Sequence, residues 1–226
     1  LCDDIRPTPV LSFAISHYSC VAGVMITASH NPSEYNGYKA YWEDGAQITS
    51  PHDTNIIKEV EKITDISQVK FSGPLSEIHL VGRELDEAYL KSILSLTLSE
   101  EMVKRHSDIK IVYTPLHGTG VKIVPRALRE AGFRNIVTIP EQDVSDGNFP
   151  TVKSPNPEES SALKMALEMA EKTRADLVMA TDPDADRIGI AVRDKRGEMI
   201  LLNGNQMASI LSYYILERWR DTGKLK

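Results

Sequence analysis

The chain is poor in cysteine: two residues, Cys2 and Cys20, in 226. With no cysteine motif, that usage reads as reduced cytosolic thiols, and a Cys2–Cys20 disulfide is not expected. No apolar run approaches the ~20 residues that a membrane-spanning helix needs, which excludes that class. Basic residues do not dominate. Lys and Arg number 26 against 32 Asp and Glu, for a formal charge of -6, so the basic face of a general nucleic-acid binder is missing. Leu1-Cys2-Asp3-Asp4 has neither the basic start nor the apolar core of a signal peptide, and the chain lacks an initiator Met. It opens near a helix start and closes on Gly223-Lys224-Leu225-Lys226, so an excised piece of a longer protein is expected. There is no internal repeat and no low-complexity tract.

What is present is an ordinary globular composition, 41% hydrophobic and 26% charged. At roughly 150 residues per domain, the length suggests one large domain or two small ones. Thr8 is placed to cap a first helix with Pro9 at its first position. Val21 to Ile26 reads as a buried strand and Gly37 to Trp42 as the next, followed by a helix from Ser50 to about Ile63. Breakers between residues 64 and 83 suggest a domain boundary, with another helix from about Asp86 to Leu98 beyond it. Strands and helices then alternate. Strands are expected at 109–113, 135–139, 176–181, 188–192 and 198–202, and helices at 121–131, from Asn156 onward, and at 205–219. This is an α/β pattern of two three-layer α/β/α units with mixed, largely parallel sheets, the first incomplete. The direct joins at 181–188 and 193–198 supply the antiparallel pairing.

Three polar loops follow strands, where α/β proteins gather functional groups. Thr27-Ala28-Ser29-His30-Asn31-Pro32 exposes Ser29 as a nucleophile or phosphate carrier. A plain loop with Ser29 and Asn31 capping backbone groups is the alternative. A hydrolase elbow is absent, and neighbours such as Ser29 and His30 rarely form a nucleophile–base pair. Asp182-Pro183-Asp184-Ala185-Asp186-Arg187 alternates three carboxylates, an arrangement costly without a cation. The sixth and twelfth positions, Arg187 and Arg193, exclude an EF-hand, and three acids suit Mg²⁺ better than a Ca²⁺ cage. A solvated acidic turn is the alternative, and Arg187 beside it offers a place for an anion. Thr114-Pro115-Leu116-His117-Gly118-Thr119-Gly120 lacks the third glycine of a dinucleotide loop and the Lys of a P-loop. It reads equally as a tight turn needing positive φ at glycine. Lys39, ten positions after Ser29 on the returning strand, is placed to come back beside the serine as an acid or base.

Taken together, Thr27 to Pro32, Asn36-Gly37-x-Lys39 and Asp182-x-Asp184-x-Asp186-Arg187 resemble the α-D-phosphohexomutase family. Pro155-Asn156-Pro157-Glu158 and the Thr114–Gly120 loop resemble further family segments. The resemblance implies that residues 1–83 are the later part of a first domain carrying the phosphoserine loop. Residues 84–202 would be a second domain with the metal loop, and 203–226 the start of a third. Domains beyond them would be missing, and the piece alone would be inactive. It implies Ser29 as the phosphoserine that completes a Mg²⁺ site with Asp182, Asp184 and Asp186. Lys39 would be the general acid or base, with His30 and Arg187 near the reacting phosphate. The activity implied is a Mg²⁺-dependent isomerase that moves a phosphoryl group within a sugar phosphate through a sugar bisphosphate intermediate. That is a phosphoglucomutase or phosphomannomutase, with a phosphopentomutase as the alternative. Pro183 stands where the commonest family version has Gly, a variant associated with the phosphoglucomutase and phosphopentomutase branch. A non-catalytic phosphosugar-binding protein and a metal-dependent phosphatase are the readings of other classes. The partner expected is a small sugar phosphate in the cytoplasm, not nucleic acid or membrane, with a dimer through exposed domain faces as one open state.

Overall fold

The computed structural model describes residues 1–225. The stretch expected to open a third domain, 203–226, therefore ends on a residue outside the described ones. Helix α1, Thr8–His17, packs on an antiparallel pair of strands, β1 Ala22–Ile26 and β2 Tyr38–Trp42. The apolar faces of α1 and of helix α3, Arg83–Leu94, meet through Val10, Ala14 and Leu85. Between them, α2, His52–Val60, has no buried residue. It starts one residue later than expected, with Pro51 rather than Ser50 at the cap position and no side-chain cap. α3 also starts and ends earlier than the Asp86–Leu98 expectation, and a short helix, α4 Glu100–Arg105, follows it unforeseen.

The main sheet contains β3 Lys110–Thr114, β4 Asn135–Thr138, β5 Leu177–Thr181, β6 Ile188–Arg193 and β7 Met199–Leu202. Their order is β4-β3-β5-β6-β7. β3 pairs in parallel with β4 and β5, while β5–β6 and β6–β7 are antiparallel. Both direct joins thus give the antiparallel pairing expected of them, and the sheet is evenly mixed. Helix α5, Gly120–Ala131, stops at Gly132, whose φ of 118° suits a residue without Cβ. Helix α6, Lys164–Thr173, buries Ala166 and Ala170 against Val112, Val178 and Ala191. Tyr113, on the other face by strand alternation, lies beneath the first residue of α5. The two helices therefore sandwich the sheet. Helix α7, Gly204–Asp221, has no buried residue and opens with a capping box between Asn203 and Gln206. Among the described residues no helix is long and apolar enough to cross a membrane.

Two expectations are corrected here. β1 is not a buried strand: Val24 is 46% and Ile26 60% exposed. Alternation turns Gly23 toward Ile15 of α1 and leaves the opposite face of a two-stranded sheet uncovered. Nor does a helix begin at Asn156. Glu158 N–H does donate to Asn156 Oδ1, as in a helix start. The chain then makes successive three-residue turns, Glu159 N–H to Asn156 O and Ala162 N–H to Glu159 O, and α6 begins only at Lys164. Ser160 and Ser161 are indifferent helix formers, and Pro157 is pressed against Gly189 of β6, so contact with the sheet decides the conformation. Ala162 and Leu163 nevertheless point inward, in one buried cluster with Leu116 and Ala180.

Candidate active site

The Thr27–Gly37 loop leaves the end of β1 and returns into β2, where the register sets Lys39 opposite Met25. Ser29 sits on this loop in left-handed backbone, φ 54°, with its N–H donating to Thr27 Oγ1 at 2.8 Å. Its hydroxyl is not spent on capping the backbone. It donates to Asp182 Oδ2 at 3.1 Å, across 153 positions of sequence. His30 Nδ1 approaches the same hydroxyl at 3.3 Å. The expectation that these neighbours would not meet is therefore corrected. Asn31 does take the capping part, donating from Nδ2 to Ala28 O.

Asp182 and Asp184 follow β5 and are almost wholly buried, while Asp186 is exposed. Each can offer one oxygen to a group in which all three lie within 4.8 Å of one another. Lys39 Nζ donates to Asp184 Oδ2 and to Asp186 Oδ2, both at 2.8 Å. The lysine thus reaches the aspartates rather than the serine. Burial alone would lower its pKa, but the two carboxylates outweigh burial and hold the ammonium above the ordinary lysine range. It is consequently protonated, the state of a general acid. Arg187 contributes its backbone N–H to Asp182 Oδ1 at 3.0 Å. Its side chain is exposed and makes no ion pair among the described residues. Asp184 Oδ1 is buried with no hydrogen-bond partner. An orphaned carboxylate oxygen among three clustered acids fits a hard divalent cation such as Mg²⁺.

Burial, reinforced by Asp184 and Asp186, pushes the Asp182 carboxyl up to about 7. For Asp184 burial acts in the same direction, but the hydrogen-bonded Lys39 ammonium, the adjoining Asp182 carboxyl and the Thr8 hydroxyl together hold it below the usual range. A raised acid favours its protonated form in the folded chain. Its stabilising effect is complete below the ordinary carboxylate pKa and is lost as the pH rises to about 7. Melting of the metal-free chain, followed from about pH 4 to about pH 8, should therefore show a decline that Asp182→Asn reduces. An unchanged profile in the variant would contradict this origin. A divalent cation, which needs the ionised form, should restore stability at the upper end.

The Thr114–Gly120 loop turns out to brace the metal-loop candidate. Thr119 donates from N–H (2.7 Å) and from Oγ1 (2.9 Å) to Pro183 O. The expected positive φ at glycine is not found. Leu116 and His117 carry it, at 47° and 63°. The glycines serve close approach instead: a Cβ on Gly118 would sit 2.3 Å from Pro183 Cα, and one on Gly120 2.4 Å from the Tyr113 hydroxyl. His117 is buried and links through Thr151 to Gln142, fixing the segment that carries Ser145 and Asp146. A cleft of about 510 Å³ runs between this segment and the serine loop, lined by Ser29, Asn36, Gly118, Ser145, Asp146 and Asp184 among others.

Thr8 is not the helix cap expected of it: Pro7 holds the cap position, and Thr8 Oγ1 donates to Asp184 Oδ2 at 3.0 Å. Its partner stands 176 positions away, and no local signal marks such a pairing.

The chain matches two family models. Residues 1–67 match "Phosphoglucomutase/phosphomannomutase, alpha/beta/alpha domain I" and residues 87–197 match its "alpha/beta/alpha domain II". A human phosphopentomutase is 38% identical over 98% of the chain and 37% of its own length. A Staphylococcus epidermidis phosphoglucomutase is 39% identical over 96% of the chain and 40% of its own length. The chain therefore spans well under half of these relatives. A solved structure of a candidate phosphomannomutase from Thermus thermophilus superposes with a TM-score of 0.75 at 25% identity, over 96% of the chain and 46% of that protein.

Proposed function

The chain belongs to the α-D-phosphohexomutase superfamily of phosphoglucomutases and phosphomannomutases, and from that premise we propose that it carries the phosphoserine and metal loops of a phosphosugar mutase. The observation that supports this most strongly is the approach of Ser29 Oγ to Asp182, the first of three clustered carboxylates. In this reading phosphorylated Ser29 gives its phosphoryl group to the free hydroxyl of a sugar monophosphate, forming a sugar bisphosphate. The bisphosphate then returns its other phosphoryl group to Ser29 Oγ and leaves as the isomeric monophosphate. Asp182, Asp184 and Asp186 hold Mg²⁺, which when bound offsets charge on the phosphoryl oxygens. Lys39, held protonated at the aspartates, donates a proton to the departing serine or sugar oxygen. His30, at the serine hydroxyl, and the exposed Arg187 guanidinium bind phosphate oxygens.

Glucose or mannose phosphate is the proposed substrate. A pentose phosphate is the second reading, since the human phosphopentomutase and the bacterial phosphoglucomutase are almost equally similar. The proposed division is 1–83, 84–202 and 203–226. Free thiols at Cys2 and Cys20 favour the cytoplasm as the location. Glucose, mannose and ribose 1-phosphates, each given to the full-length protein with Mg²⁺ and its bisphosphate, test the activity. Isomerised sugar phosphate is the expected product. Free phosphate alone would make the protein a phosphatase, and binding without turnover a phosphosugar-binding protein.

A further inference from the structure

We propose that Thr8 is a positioning residue for the metal centre, committing one oxygen of Asp184 to the protein and leaving the other for a divalent cation. This role rests on the reading of Asp182, Asp184 and Asp186 as metal ligands.

Thr8 is buried in the first turn of α1 and grips Asp184 twice. Its N–H donates to the Asp184 carbonyl at 2.8 Å and its Oγ1–H to Asp184 Oδ2 at 3.0 Å. The amide is one of the free donors that every helix start leaves, and it is satisfied by the aspartate loop rather than by a local cap. Because α1 has ten residues, the positive end of its dipole also lies at Asp184 and favours a carboxylate there. Lys39 Nζ donates to the same Oδ2 at 2.8 Å. Oδ2 therefore accepts from two donors, whereas the equally buried Oδ1 accepts from none. An unsatisfied buried oxygen is costly unless something binds it. With the carboxylate plane fixed through Oδ2, Oδ1 is held in one place rather than rotating to find a donor. Valine would fill the same helical slot, so the hydroxyl answers to Asp184 and not to the helix. Hydrogen bonds of this kind, one bond removed from the metal, typically govern affinity by about 10–100-fold.

Titration with Mn²⁺, read by the electron paramagnetic resonance of the free ion, tests this on the unaltered chain, Thr8→Val and Thr8→Ser. The backbone bond survives in both variants, so neither loses the whole contact. Thr8→Val should bind Mn²⁺ about tenfold more weakly, while Thr8→Ser, which keeps the hydroxyl, should stay close to the unaltered chain. Equal affinity of Thr8→Val and the unaltered chain would overturn the role and leave the metal centre standing. Equal weakening in both variants would also overturn it, because shape and not the hydroxyl would then be responsible. No Mn²⁺ binding by the unaltered chain would remove the metal centre itself, and this role with it.

Discussion

Ser29→Ala in the full-length protein is expected to lower kcat for sugar-phosphate isomerisation by roughly 10⁴- to 10⁶-fold, the scale on which removal of a nucleophile acts. The size of the effect follows from the lack of a substitute. Thr8 and Thr119 bring hydroxyls to the aspartate loop, but the first is committed to Asp184 and the second to Pro183 O. Thr27 Oγ1, two residues away, accepts the Ser29 amide. Ser29 Oγ alone bonds to the aspartate cluster from the loop that lines the cleft. The substitution removes one oxygen and no packing of consequence, since Ser29 is only half-buried. The melting temperature should stay put and KM should change little. Retention of even a tenth of the turnover would show that Ser29 is not the phosphoryl carrier.

Asp184→Asn is expected to weaken divalent-cation binding by more than about 100-fold, beyond the range that groups outside the ligand set produce. Asparagine keeps the shape, but it leaves only one oxygen where the carboxylate presents two and removes the negative charge that Lys39 and the cation share. Thr8 and Lys39 both address Oδ2, so the neutral side chain must place its oxygen on them and turn its NH₂ toward the cation position. Calorimetric titration with Mg²⁺ reads this directly. Asp186→Asn should cost less, because Asp186 is the exposed member and part of its charge is already screened by water. Affinity unchanged in Asp184→Asn would detach the metal from this loop.

The placement of the site residues was legible in the sequence wherever it was local. Alternating acids in 182–186 are costly to pack without a cation, and a serine after an apolar strand stands at a sheet edge. Both inferences need only near neighbours, and the structure brings Ser29 and Asp182 together. Lys39 was legible as a returning lysine but not in its target, because its reach depends on where the second sheet ends. Thr8 shows the limit most plainly: its helix position was foreseen within one residue, yet its hydroxyl bonds across the fold. The same limit explains the glycines of the 114–120 loop, whose need for close approach depends on Pro183 and Tyr113. It also explains the start expected at Asn156, where contact with β6 outweighs a good local helix signal. β1 was misread for the opposite reason. Its residues are apolar enough for a buried strand, but a two-stranded sheet has only one covered face.

On this account Ser29 carries a phosphoryl group beside the aspartate loop. The decisive measurement is incubation of the full-length protein with glucose 1,6-bisphosphate and Mg²⁺, followed by intact-mass analysis and mapping of the modified peptide. One phosphoryl group on Ser29, absent from Ser29→Ala, is the result predicted. A phosphoryl group that persists in Ser29→Ala, or that maps to another residue in the unaltered protein, would contradict the claim.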